Sequence, residues 1–211
     1  MMEPRRILLF GGTFDPPHNG HMALLESACS AVRPDLAVVE PAGIPPHKKA
    51  SATPAQHRLA MARCFESVWP RVLVDDTEIR RGGKSYTVDT LGALQARWPG
   101  AQLYLAIGSD MLLTFRIWRH WQEILQRAVL VVHSRRGGDE PSLREFARSL
   151  VAEGGRVVFA PGRVLEVSST QLRQALEAGR TPDGLLPPMV ARYITDHGLY
   201  RPSARPEDGE P

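Results

Sequence analysis

Two histidines, His18 and His21, close the run Gly11-Gly12-Thr13-Phe14-Asp15-Pro16-Pro17-His18-Asn19-Gly20-His21. Three residues apart at the opening of a helix, two imidazoles project to one side. The glycine pair ahead of them allows a sharp turn and lets a ligand approach without meeting a Cβ. A helix N-terminus adds unpaired N–H groups and the positive end of the dipole, so an anion placed there meets both these and the imidazoles. The pattern points to a phosphate site. Zinc is a competing reading, against which the spacing is not H-E-x-x-H and no third ligand is evident. A purely structural cap by His21 is another.

A second helix start, Ser168-Ser169-Thr170-Gln171, fits the S-x-x-Q capping box, and Arg173 in its first turns adds a cation. Basic residues gather at His47-Lys48-Lys49, Arg80-Arg81 with Lys84, and Arg135-Arg136, while the formal net charge is only +3. That balance suits small anions and argues against broad nucleic-acid binding. For Lys48-Lys49 a solvated loop and a phosphate contact both stay open. Trp118 and Trp121 read, on spacing alone, as core.

The elements that must carry these residues alternate. Ile7–Phe10 is an apolar strand buried on both faces, and a helix follows from Gly20 to about Arg33-Pro34. Leu36–Val39, Val72–Val74, Leu103–Ile107, Ala128–Val132 and Val157–Phe159 read as further strands. Helical spacing covers Gln56–Phe65, Val88 to about Trp98, Leu112–Leu125, a stretch opened by a capping box at Ser142–Glu145, the run from Ser168, and Met189–Asp196. Asp75–Gly83 reads as loop with Glu78–Arg80 extended, and a hydroxyl of Ser85 to Thr87, or Asp89, should cap the helix that follows. The expected fold is α/β, a Rossmann-like doubly wound parallel sheet with a small C-terminal helical part. One domain should span residues 1–202, with residues 203–211 a disordered tail. In such a sheet ligands gather beyond the carboxyl ends of the strands, and the loops after strands one, two, four and five carry the polar motifs.

Cys29 and Cys64 show no metal-ligand spacing and read as buried thiols in a reducing compartment. No apolar run is long enough to span a membrane, and the N-terminal residues lead straight into a strand instead of a signal peptide, so a cytoplasmic protein is expected.

The glycine-to-histidine run resembles the H-x-G-H signature of the nucleotidylyltransferase superfamily. Its G-G-T-F-D-P-x-H-x-G-H form is similar to that of the bacterial nicotinate mononucleotide adenylyltransferases. Pro45-Pro46-His47-Lys48, Ser85-Tyr86-Thr87, Gly108-Ser109-Asp110, Trp118, Val167-Ser168-Ser169-Thr170 with Arg173, and Gly198-Leu199-Tyr200 follow in the same order. Val167 stands where that family usually has isoleucine. The resemblance implies transfer of the adenylyl group of ATP to nicotinate mononucleotide, with Mg²⁺ on the departing phosphates. It implies His18, His21 and Arg173 as catalytic residues. ATP would be bound by these three with Gly11, Gly12, Thr13, Phe14, Lys48, Gly108, Asp110, Ser169 and Thr170. The mononucleotide would be bound by Ser85, Tyr86, Thr87, Trp118 and Arg135, with the Trp118 indole stacked on the pyridine ring. No dedicated protein metal site is expected. The rival readings are the same chemistry on nicotinamide mononucleotide or phosphopantetheine, and a non-catalytic nucleotide binder; a homo-oligomer is left open.

Overall fold

The computed structural model describes residues 3–45, 51–134, 141–162, 165–180 and 182–201. Lys48, Arg135 and the 203–211 tail lie outside the described residues. In chain order the elements are β1 (Arg6–Gly12), α1 (Asn19–Val32), β2 (Leu36–Pro41), α2 (Ala55–Ala62) running into a 3₁₀ turn, β3 (Val72–Val74), α3 (Thr77–Arg81) and α4 (Thr87–Arg97). Then come β4 (Gln102–Gly108), α5 (Ser109–Leu113), α6 (Trp121–Arg127), β5 (Ala128–Ser134), α7 (Pro141–Ala152), β6 (Val157–Pro161), α8 (Ser169–Glu177) and α9 (Pro188–Asp196).

The strands form one parallel sheet in the order β3-β2-β1-β4-β5-β6. Its strand order reverses between β1 and β4, and the crevice beyond that point is where Gly11-Gly12 and Gly108-Ser109 emerge. Both faces are covered. Ile7, Leu9, Val38, Leu105 and Ile107 pack under α4 to α7, whereas Leu8, Phe10, Val39 and Val131 pack under α1, α2, α8 and α9. That alternation within apolar strands is what a doubly wound sheet demands. Cys29 and Cys64 are free and buried, and burial pushes both thiols up to about 12.

Four local expectations give way. Residues 77–81 are helical, not extended. Asp75 accepts the Thr77 N–H at 2.9 Å and Glu40 accepts the Glu78 N–H at 2.7 Å, so buried carboxylates satisfy the opening turn in place of an apolar stripe. The helix α4 has Tyr86 as its flanking residue with no side-chain cap, because the Ser85 hydroxyl instead accepts the Gly43 N–H at 3.0 Å. The stretch 112–125 is broken: Trp118 is extended and His120 left-handed between α5 and α6. Phe115, Trp118 and Trp121 still converge, with Phe115 5.4 Å from Trp118 and 6.4 Å from Trp121 between ring centres. Common burial gave them helical spacing without one continuous helix. Ser142 is the second residue of α7, not its flanking cap.

Glu40 carries a pH prediction. It is 1% exposed in an otherwise apolar strand, and burial, reinforced by Glu78 and Asp75, raises its carboxyl from 4.5 to about 8. The fold therefore favours the protonated form, and ionisation costs stability as pH climbs through that interval. Glu40→Gln keeps an acceptor for the Glu78 N–H. It should flatten the loss between pH 5 and 9 and be more stable than the parent at pH 9 by roughly 2–4 kcal/mol. Urea unfolding at the two pH values reads this directly; equal losses in both proteins would clear Glu40 of the effect.

Candidate functional site

The loop after β1 is built by exclusion. A Cβ on Gly12 would sit 2.7 Å from the Phe14 ring, which is fully buried among Phe10 and Phe65 and stands edge-on to His21 at 5.3 Å. Phe14 adopts a left-handed backbone (φ 50°), a strain offset by burying its ring. Its side chain thus supports the site from below and does not line it.

His18 is the extended residue that flanks α1, and His21 is the third residue within it. The His21 N–H donates to His18 Nδ1 at 3.2 Å, and the His18 N–H donates to His21 Nδ1 at 3.3 Å. The pair is a capping box made of imidazoles, so the structural reading of His21 and the anion-binding reading are compatible. Because each Nδ1 accepts, each ring carries its proton on Nε2. The rings stack 3.6 Å apart. Burial, with His18 6% exposed, lowers its pKa to about 4, so at neutral pH it is an uncharged N–H donor. Gly20 belongs to the same construction: a Cβ there would come within 3.0 Å of both His18 Nδ1 and Val167 Cγ1. This allows Val167, in the segment leading into α8, to press against the pair.

The second helix start arrives as expected. Ser168 flanks α8 and forms the capping box with Gln171. Two side chains then tie α8 to the first loop: Ser169 donates to the Pro16 carbonyl at 2.9 Å, and Arg173 Nη1 donates to the Asp15 carbonyl at 2.7 Å. The Ser169 hydroxyl is therefore a strut, and Thr170 Oγ1 accepts from Arg173 at 3.4 Å. The two helix N-termini of α1 and α8 face one loop, which concentrates N–H dipoles and a guanidinium at one spot.

Toward the other side of the crevice, Gly108 flanks α5 and Asp110 is exposed in its first turn. Tyr86 and Trp118, both half-buried, pack against the same core, and the Arg119 guanidinium lies 4.6 Å over the Tyr86 ring. Thr87 opens α4 beside them. Ser85 is buried and spent on the loop after β2, where Ile44 also pairs with Lys84. Two groups that the motifs did not single out hold this assembly. Asp15 is 6% exposed and accepts from Ser51 and from Tyr200, each at 2.6 Å. Arg58 is 2% exposed and donates to the carbonyls of Thr13, Ala42, Gly43 and Thr53. A signal for Arg58 existed: it shares the helical stripe of Met61, Ala62 and Phe65, where an exposed arginine has no place.

Among the described residues no group of three or more His, Cys, Asp or Glu could hold a metal ion. Both Asp15 oxygens are already engaged.

Fold and site together define a nucleotide-handling α/β protein, and the chain belongs to the cytidylyltransferase-like family, whose family model matches residues 9–175. Relatives within it are more particular. A protein of Acidithiobacillus ferrooxidans named "Probable nicotinate-nucleotide adenylyltransferase" is 38% identical over 208 residues, covering 92% of this chain and 95% of that protein. One of the same name from Gemmatimonas aurantiaca is 41% identical over 200 residues, covering 93% and 92%. Among solved structures, Plasmodium falciparum nicotinic acid mononucleotide adenylyltransferase complexed with NaAD superposes with a TM-score of 0.74 at 18% identity, over 93% of this chain and 97% of that one. At that identity the likeness supports the fold.

Proposed function

We propose that this enzyme joins ATP and nicotinate mononucleotide to give nicotinate adenine dinucleotide and pyrophosphate, a step of NAD biosynthesis. The observation that carries the reading is the reciprocal capping of His18 and His21 opposite the start of α8. The names of the relatives supply the acceptor.

The nucleophile is the phosphate of the mononucleotide, largely dianionic at neutral pH because the second pKa of a phosphomonoester is about 6. No general base is needed. One of its oxygens bonds to the α-phosphorus of ATP as the bond to the bridging oxygen of pyrophosphate breaks, and the electron pair leaves with pyrophosphate. Catalysis then rests on alignment and on stabilising charge on the α-phosphoryl oxygens. Neutral His18 donates its Nε2–H there, and His21 donates beside it. Arg173 and the first-turn N–H groups of α8 take the departing phosphates, with Lys48 assigned to the same group. Thr13, Gly11, Gly12 and Gly108 leave room for the nucleotide. Tyr86, Thr87, Trp118 and Arg135 receive the acceptor, while Ser85 shapes that strip through the Gly43 tie. Mg²⁺ would be carried by the phosphates and water and would supply neutralising charge for the leaving group; among the described residues no cluster of His, Cys, Asp or Glu offers it a cage.

The test is a paired assay of pyrophosphate release with the acid and the amide mononucleotides. A carboxylate-selective pocket presents N–H donors, and the amide NH₂ facing them loses a partner, worth roughly 1–3 kcal/mol. The acid should react about tenfold to a hundredfold faster. Equal rates, or preference for the amide, would overturn the acceptor assignment.

A further inference from the structure

Gly198-Leu199-Tyr200 follows the last helix and has no part in the chemistry above, yet the structure brings it to the catalytic loop. Gly198 (φ 58°) ends α9, and the Leu199 N–H donates to the Ile194 carbonyl at 3.0 Å. Tyr200 is itself left-handed, with φ 54°. A non-glycine residue held there is strained, and such a conformation persists where contacts over-determine it. The contact in question is the Tyr200 hydroxyl, which donates to Asp15 Oδ1 at 2.6 Å across 185 residues of sequence. Burial and that bond hold the Tyr200 hydroxyl far above the ordinary phenol range, so it is a donor at every working pH.

The other Asp15 oxygen accepts from Ser51 and lies 3.8 Å from Arg173 Nη1, the same nitrogen that donates to the Asp15 carbonyl. A buried carboxylate beneath a polyanion site is a cost unless it orients something. Here it is pinned from one side by the tyrosine and faces the arginine on the other. The Tyr200 hydroxyl also meets Thr53 and lies within electrostatic reach of Arg173, but the path of direct contacts from the tyrosine to the arginine runs through Asp15.

We propose that Tyr200 is a positioning residue of the adenylyl-transfer site: by fixing the Asp15 carboxylate it sets where Arg173 waits for the triphosphate of ATP. The proposal rests on the reading that Arg173 meets ATP. It predicts an effect confined to the ATP side, because the acceptor strip of Tyr86, Thr87 and Trp118 shares none of these bonds.

Tyr200→Phe removes the hydroxyl and keeps the ring. In the full-length enzyme its KM for ATP should rise about fivefold to twentyfold, with KM for nicotinate mononucleotide within twofold of the parent. A variant that is merely part-unfolded loses kcat and keeps both KM values, so the split separates positioning from structural damage. The companion variant is Arg173→Lys, alone and combined with Tyr200→Phe. If the tyrosine acts through the arginine, the double variant has the ATP KM of Arg173→Lys alone. An unchanged ATP KM in Tyr200→Phe, or effects that multiply in the double variant, would overturn the proposal. A silent Arg173→Lys would instead overturn the assignment of Arg173 to ATP.

Discussion

His18→Ala is expected to lower kcat by about two to three orders of magnitude, the usual effect of deleting one preorganised donor to a developing oxyanion. ATP should still bind, since Arg173, His21 and the α8 N-terminus remain. The physical case rests on the capping geometry. The His21 N–H fixes Nδ1 of His18 as an acceptor, so the ring is locked in the Nε2–H form before substrate arrives. Burial keeps it uncharged down to about pH 4. A neutral imidazole in that state costs little in the ground state and gains as charge builds on the α-phosphoryl oxygens. The free enzyme should show no His18 inflection between pH 6 and 8; a step near 6 belongs to the second ionisation of the acceptor phosphate. Stability has the opposite handle. With its pKa depressed from 6.5, His18 contributes stability that is present above that value and is lost as pH falls toward 4. His18→Ala should flatten that interval while losing about 1 kcal/mol of capping at neutral pH. Turnover and calorimetric ATP binding on the same preparation test both halves, and unchanged turnover removes His18 from the mechanism.

The apolar runs announced the sheet because a strand covered on both faces has little room for polar residues: β1 shows none between Arg6 and Gly11, and β5 none before the buried His133 and Ser134. The helix starts at His18 and Ser168 were legible for the same kind of reason: a capping residue is chosen by local geometry. What stayed hidden depends on long-range satisfaction of polar groups. Nothing around Glu40 in sequence says that it will supply an acceptor to the opening of α3, 38 residues later. Nothing near Ser85 says that its hydroxyl will serve a loop 42 residues earlier in place of its own helix. The indole positions illustrate the limit of periodicity, since Phe115, Trp118 and Trp121 reach one core from two short helices and a left-handed turn. The role of Gly20 was equally invisible, for it is set by the approach of Val167 from the far end of the fold.

Arg58 gives the largest expected loss of stability. Its guanidinium makes four hydrogen bonds to carbonyls of the loops after β1 and β2: Thr13 at 2.9 Å, Ala42 at 2.6 Å, Gly43 at 3.1 Å and Thr53 at 3.3 Å. No described carboxylate lies within ion-pair distance of it. Burial lowers its pKa, with the nearby Asp15 charge acting in the other direction, but a guanidinium stays charged. Arg58→Met fills much of the volume and takes the donor from the Thr13, Ala42 and Gly43 carbonyls, while Thr53 keeps the Ser51 hydroxyl, so the unfolding free energy should drop by roughly 3–5 kcal/mol. Lysine cannot reproduce the planar fork, although it keeps the charge. Arg58→Lys should therefore recover only part of the stability. The charge has a separate consequence. Hydrogen bonds to carbonyls do not neutralise it, so it adds positive potential beneath the Thr13 loop where the triphosphate is to lie. At a temperature where both variants are folded, Arg58→Lys should keep an ATP KM near that of the parent and Arg58→Met should raise it several-fold. If the two variants raise it equally, the fork alone matters and the field of Arg58 has no part in holding ATP.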